Sequence, residues 1–243
     1  MRRFFCPAKN ISPDTITIDD LGQVHHIRDV LRIKIKDKTI VFDERGNEYD
    51  CVIEDISSVV VLSIKKIRAQ SSRKDKAVRI TVACAIAKKC KMDEIIDSLT
   101  QLGAARIIPL ETERVIVKFD KDKEASRLAR WKKIALNACQ QSQRSTLVVV
   151  EPIMNIKKLL GEIQDYDLKL IPTLIGKRKS LKEACAQTNP RNILILIGPE
   201  GDFTPGEVNL AKKCGCIPVS LGDLVLRVDT AAIAAVSYIR LSL

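Results

Sequence analysis

The stretch ILILIGPEGDFTPGEV, residues 193–208, carries an apolar run straight into Gly-Pro-Glu-Gly and then into a helix start. Two glycines, a proline and an acid at the end of a buried strand suit a loop that binds something. Gly198 and Gly201 let backbone approach a ligand with no Cβ in the way, and Pro199 stiffens the turn. Thr204, Pro205 and Glu207 follow the pattern of an N-cap, a proline at the first helical position and a capping box. As a phosphate cradle the loop fits badly. No Lys follows it, as a P-loop requires, no G-x-G-x-x-G is present, and Glu200 would repel an anion. A ligand gripped by backbone groups and carrying positive charge suits it better. The plainer alternative is a tight strand-to-helix turn with no ligand.

Three apolar strands in the last third end in such loops, IPTLIGK, IGPEG and SLGDLVLR. In open α/β sheets, ligands bind beyond the carboxyl ends of the strands. The elements that must position these loops begin at residue 78. Strands ITVACAIA, ARIIPLE, LKLIPTL, NILILIG and CIPVSLG alternate with helical stretches, among them KMDEIIDSLTQLG, closed by Gly103, and the long basic DKEASRLARWKKIALNACQQSQR. This alternation predicts an α/β domain over 78–243, a largely parallel sheet covered on both faces. Residues 1–69 differ. Short strands RRFFC, TITI, TIVFDE, YDCVIEDI and VVVLSIKKI surround one helix, DLGQVHHIRDVLRI, with Val24, Ile27 and Leu31 on one face. They predict a small β-barrel, with ERGN as a turn. The polar QSSRKDKA, residues 70–77, reads as a linker.

Composition narrows the partners. The 243 residues are 46% hydrophobic, and no apolar run approaches the ~18 residues of a membrane span. The basic start MRRFFCPAKN lacks the apolar core of an export signal, so a cytoplasmic protein is expected. Eight cysteines are scattered without a C-x-x-C pair, which reads as reduced thiols and no metal site. His25 and His26 are adjacent and point in different directions on a helix, so they do not read as a metal pair either. The net charge of +11 favours a polyanionic partner, a nucleic acid, over a merely basic solvated surface. Aromatics are only 4%, so contacts to RNA should come mainly from Arg, Lys and backbone.

The string SLGDLVLRVDTAAIAAVSYIRLSL at the end of the chain adds a resemblance. IGPEG followed by LG-x-x-x-LR-x-D-T-A-A resembles the ribosomal small-subunit methyltransferase E family. MRRFF and HHIRDVLRIK are similar to that family's N-terminal PUA-like, RNA-binding domain. Lys88 with Lys91-Met92-Asp93, TQLG, IIPLETERVIVK and RW…A-x-x-QSQR are similar to its central signatures. The resemblance implies a SPOUT-type, trefoil-knotted parallel sheet with helices on both faces, behind a PUA-like barrel. It implies S-adenosyl-L-methionine as methyl donor, N3 of a uridine in 16S ribosomal RNA as acceptor, and a homodimer. Carried over by position, the first cofactor loop is Leu174, Ile175 and Gly176. The second is Ile197, Gly198, Pro199, Glu200 and Gly201. The third is Leu221, Gly222, Leu226 and Arg227.

Uridine N3 bears a proton and is a poor nucleophile until that proton leaves. The protein must hold the base in line with the methyl group and stabilise negative charge on the ring oxygens. Arg227 suits that electrostatic role, and because it stays protonated it cannot be the base. A salt bridge to Asp229 or a phosphate contact is its alternative. Asp229 reads as the cap of the last helix. An RNA face is expected from Arg2, Arg3, His25, His26, Arg28 and Arg32 in the first domain. Arg114, Lys118, Arg130 and Arg144 extend it in the second. The alanine-rich last helix, with Ile233, Val236 and Ile239, offers a face for close packing in a dimer.

Several charges of the family pattern are absent. Ser98 and Gln101 stand for its Lys and Glu, Leu224 for an Arg, Gln140 for an acid, and Asp229 for a Glu. Removing both partners of a buried polar interaction can be nearly neutral, so a charged network replaced as a unit would explain them. The departures leave open another rRNA nucleotide, or a non-catalytic RNA-binding or ribosome-assembly protein on the same scaffold.

Overall fold

Alternating apolar residues turn the start of the chain into a sheet with one buried face. The computed structural model describes residues 2–68, 78–86, 92–114, 121–144, 146–186 and 189–243. The expected linker at 70–77, with Lys88, Lys91 and Lys118, lies outside them. The strands are β1 (Arg3–Phe5), β2 (Thr15–Ile18), β3 (Lys38–Phe42), β4 (Glu48–Ile56) and β5 (Val60–Arg68), in the order β1-β3-β4-β5-β2. β1 and β3 are parallel and the other pairs antiparallel. Tyr49, Cys51 and Ile53 of β4 meet Phe4, Ile16, Ile18 and Val41 in one core, a half-barrel where the strand pattern predicts a small barrel and the resemblance a PUA-like one. At the ERGN turn the buried Asp43 carboxylate accepts the Asn47 N–H at 2.9 Å and the Tyr49 hydroxyl at 3.1 Å.

The expected helix over 20–33 is shorter and wound differently. α1 (Leu21–His25) is capped by Asp20, which accepts the Gln23 N–H at 2.8 Å. The chain continues as a π-helical turn over His26–Val30, where the Leu31 N–H reaches back to the His26 carbonyl at 2.8 Å. Val24 and Ile27 are buried as expected, and Leu31 is half-buried. Apolar spacing marks the buried face, but it does not distinguish one turn type from the other.

The second unit alternates strand and helix: β6 (Arg79–Ala85), α2 (Met92–Gln101), β7 (Arg106–Glu111), α3 (Lys121–Gln141), β8 (Val149–Val150), β9 (Met154–Asn155), α4 (Ile156–Leu160), β10 (Leu168–Pro172), β11 (Lys179–Ser180), α5 (Leu181–Ala186), β12 (Asn192–Ile197), α6 (Pro205–Lys213), β13 (Ile217–Ser220) and α7 (Val228–Ser242). The strand order is β11-β13-β10-β12-β6-β7-β8, with β9 also on β7. Its pairings are parallel. β6 and β12 are almost wholly buried, as apolar runs covered on both faces require. The short β8, β9, α4 and β11 were not legible, because none is long enough to show a period. By contact the first unit comprises Met1–Asp75 with Cys139–Leu147, so it takes the last residues of α3. The second comprises Lys76–Ala138 with Val148–Leu243.

α7 corrects one expectation. Val236 and Ile239, read as a dimer face, are fully buried in their own unit with Ala232 and Ala235, on a helix packed against α2, β6 and β12. The sheet takes those two positions, while Ile233 is half-buried.

Candidate functional site

β13, β10 and β12 lie side by side and run parallel, so the loops at their carboxyl ends meet. The chain leaves β10 to form β12 on one side, then returns through α6 to form β13 on the other. This is the strand-order reversal at which α/β sheets open a crevice. The crevice is a pocket of about 590 Å³, its open mouth included. It brings together Leu174 of the first predicted loop, Ile197 to Glu200 of the second, and Leu221, Gly222 and Leu226 of the third. Ile175 packs into the core beneath instead. Gly176, Gly201 and Arg227 are not among the lining residues.

Hydrogen bonds across distant segments fix the second loop. Thr204 caps α6 by accepting the Glu207 N–H at 3.2 Å, and the Glu207 carboxylate returns to the Thr204 N–H at 2.8 Å, the predicted capping box. Glu207, buried, also accepts the Glu113 N–H at 2.8 Å. Arg114 donates to the carbonyls of Gly201 and Asp202, so this expected RNA contact is tied to the pocket loop. The reason for Gly198 also differs from the expected ligand approach. A Cβ there would stand 3.0 Å from the ring of the fully buried Phe203. Gly222 differs in kind: its φ is +127° and a Cβ would meet nothing within 4 Å, so the backbone conformation favours glycine there.

Two charged pocket residues escaped the sequence reading. Asp202 adopts φ +61°, and its carboxylate accepts the Thr173 hydroxyl at 2.8 Å and the Leu174 N–H at 2.7 Å. Arg178 lines the pocket and donates to the Thr173 carbonyl at 3.1 Å. Asp202 stands inside the IGPEGDF string, where an acid in a glycine-rich turn is a signal. Arg178 follows IGK directly, with nothing local to distinguish it from the basic residues beside it. The walls are therefore apolar at Leu174, Ile197 and Leu226, acidic at Glu200 and Asp202 and, among the described residues, basic at Arg178 alone. This set fits a cationic, partly apolar ligand such as S-adenosylmethionine and disfavours a polyphosphate.

Arg227 is exposed at the N-cap of α7 and makes no side-chain cap bond. Asp229 is not the cap, because the helix begins at Val228, two residues earlier than an Asp229 cap would set it. It sits in the first turn, where its carboxylate takes the Thr230 N–H at 2.8 Å and suits the positive end of the helix.

The basic candidates separate by burial. Arg3 is a correction: its side chain is 7% exposed, ion-paired with Glu48 at 3.0 Å and 5.5 Å over the Phe42 ring. It serves the sheet rather than an outer face. Arg2 is exposed and donates to the Leu31 carbonyl at 2.8 Å. His25 lies 2.7 Å from Asp29, and Arg28 forks onto the same carboxylate at 3.0 Å and reaches the Ser57 carbonyl. The Arg28 bond, helped by His25, holds the Asp29 carboxyl below its usual range. His26 and Arg32 are exposed, and Arg32 has φ +50°. In the second unit Arg130 pairs with Asp93. Arg144 falls in the first unit, with its N–H on the Cys139 carbonyl at 2.9 Å.

The positions that depart from the family pattern do not form a buried cluster. Gln101 is exposed and donates to Asp97, Leu224 is 80% exposed, and Ser98 and Gln140 are half-buried. A buried charged network replaced as a unit is therefore not what links them. Among the described residues no group of three His, Cys, Asp or Glu could hold a metal, and no helix is long and apolar enough to cross a membrane.

Comparison with known proteins adds the chemistry of relatives. A family model described as an RNA methyltransferase domain matches residues 74–240, and an RNA methyltransferase PUA domain matches 18–62. The chain is 30% identical to ribosomal RNA small subunit methyltransferase E of Bacillus subtilis, over 98% of this chain and 96% of that one. It is 32% identical to the protein of the same name from Mesomycoplasma hyopneumoniae, over 96% of each. Among solved structures, a putative methyltransferase of Legionella pneumophila in complex with its cofactor SAM superposes with a TM-score of 0.88 at 28% identity, covering 100% of this chain and 98% of the other. A Neisseria gonorrhoeae ribosomal RNA small subunit methyltransferase E bound to S-adenosyl methionine gives 0.86 at 28%, with the same coverage.

Proposed function

Because this chain belongs to the ribosomal RNA small subunit methyltransferase E family, we propose that it methylates N3 of a uridine in 16S ribosomal RNA. S-adenosyl-L-methionine is the donor and the chemistry is ribosomal RNA methylation. The observation that carries the reading is the pocket at the ends of β13, β10 and β12, apolar in its walls and acidic at Glu200 and Asp202. When bound, the donor supplies a methyl group on a cationic sulfur. Leu174, Ile197 and Leu226 enclose its apolar parts, the Gly198–Glu200 and Leu221–Gly222 backbone faces its polar edges, and Glu200 favours its positive charge.

Uridine N3 lies on the base-pairing edge, so the target is unpaired or splayed out when it reacts. Arg227, exposed and without a cap bond of its own, is free to steady the uracil oxygens as the N3 proton leaves. Residues 1–69 grip flanking backbone through exposed Arg2, His26 and Arg32, and residues 78–243 carry out the transfer. The working form is a homodimer in the cytoplasm. Exposed Leu174, Leu224 and Val225, apolar side chains at the pocket rim, support a covering partner there. The return from β12 through α6 to β13 across β10 supports the knotted path of the family.

The test is transfer of labelled methyl to small-subunit particles, followed by mass spectrometry of the nucleosides. N3-methyluridine is expected, and Arg227→Ala should lower turnover by ~10²-fold with donor binding nearly unchanged. A ribose methyl or a guanine product would overturn the uridine assignment. No transfer to any RNA would make the protein a binder on this scaffold.

A further inference from the structure

We propose that Asp202 is a positioning residue for the donor pocket, a clamp that holds the loop after β10 against the loop after β12. The inference rests on the donor reading above. Asp202 stands at φ +61°, a region that side chains other than Gly, Asn and Asp rarely occupy. Such a conformation persists where surrounding bonds over-determine it. Here Oδ1 accepts the Phe203 N–H at 2.8 Å, which fixes the turn itself. Oδ2 reaches across to the other loop, accepting the Leu174 N–H at 2.7 Å and the Thr173 hydroxyl at 2.8 Å.

The Thr173 hydroxyl relays the hold, because its oxygen accepts the Ile175 N–H at 3.2 Å. The first loop therefore hangs on one carboxylate at three successive residues. Both ends of the clamp are anchored further. Arg114 holds the carbonyls of Gly201 and Asp202 on one side, and Arg178 holds the Thr173 carbonyl on the other. Leu174, 53% exposed, is the apolar wall that this arrangement sets in place. A wall fixed before binding spares the ligand the entropy of ordering it, which raises affinity without any new contact.

Glycine and asparagine separate the clamp from its side effects. Asp202→Gly keeps the left-handed backbone at no steric cost and deletes the carboxylate. Asp202→Asn also tolerates that backbone and keeps one oxygen for the Leu174 N–H and Thr173 hydroxyl, but removes the charge. Two measurements decide the matter on each purified full-length variant, titration calorimetry with S-adenosylmethionine and hydrogen exchange of the Leu174 amide with no ligand present; donor kinetics and a thermal melt accompany them.

In Asp202→Gly the Leu174 amide should exchange about tenfold faster or more and donor affinity should fall about tenfold, as for loss of a charge-assisted bond. The donor KM should rise with kcat little changed, and the thermal midpoint should stay near that of the parent. Asp202→Asn should stay within about threefold of the parent in both measurements. Unchanged exchange in Asp202→Gly, or faster exchange with unchanged affinity, would overturn the clamp. So would an Asn variant as weak as the Gly variant, which would make the charge itself the determinant. If the parent protein binds no S-adenosylmethionine, the donor reading fails, and the Leu174 exchange still decides whether Asp202 holds the loop.

Discussion

The carboxylate of Glu207, 1% exposed at the start of α6, accepts the backbone N–H of Glu113 at 2.8 Å. Its other oxygen takes the Thr204 N–H at 2.8 Å, so one side chain closes a helix cap and fastens the turn after β7 to it. Removing it strands two N–H donors. Glu207→Ala should cost about 2–4 kcal/mol of stability, and Glu207→Gln, which keeps one oxygen, about half as much. Urea denaturation of both variants checks this. Equal losses would mean that the packing of the side chain, not its acceptors, matters.

Gly198 and Phe203 predict a second pattern. A methyl group at 198 would press on the Phe203 ring at 3.0 and 3.1 Å, so Gly198→Ala should destabilise by about 1–3 kcal/mol through overpacking. Adding Phe203→Leu should recover part of that loss. The same second change should not rescue Gly176→Ala, where φ is +72° and a Cβ meets nothing within 4 Å. There the cost is backbone strain alone, of roughly 1–2 kcal/mol. A double-mutant cycle at each pair measures the difference.

Among the basic residues, burial separates support from contact. Arg3→Ala should lower stability and leave the salt dependence of RNA binding unchanged, because that guanidinium is spent on Glu48 and Phe42. Arg32→Ala should do the reverse, reducing the slope of log K against log salt by about one. Binding of 16S fragments across a salt series gives both answers. A slope change for Arg3→Ala that matches Arg32→Ala would remove the distinction.

The buried thiols predict the alkaline limb of stability. Burial pushes Cys6, Cys51 and Cys216 up to about 12 from 9.0, with nearby acids adding to it at Cys6 and Cys51. In the unfolded chain these thiols ionise near 9, while in the fold they hold their protons. Their contribution is therefore complete below pH 9 and is lost as pH rises from 9 towards 12. Cys51→Ala with Cys216→Ala should flatten that decline in melting temperature. Iodoacetamide should leave all three unlabelled at pH 8 in the native protein and label them once it is unfolded.

Local signals were legible in the chain. NILILI and ITVACA announced buried parallel strands because both of their faces must be apolar, and Thr204, Pro205 and Glu207 announced a helix start within four residues. Glycine-rich loop ends marked where a ligand would sit. What the tertiary structure decided is which distant groups share a space. β10 lies beside β12, so Thr173 meets Asp202, and only β6 separates β12 from β7, so Glu113 meets Glu207. Burial likewise turned Arg3 inward and gave Val236 and Ile239 to the sheet. Periodicity records only how a residue stands to its near neighbours. The order of strands and the direction of a lone side chain depend on contacts that the crossovers make, and no repeat in the sequence carries those.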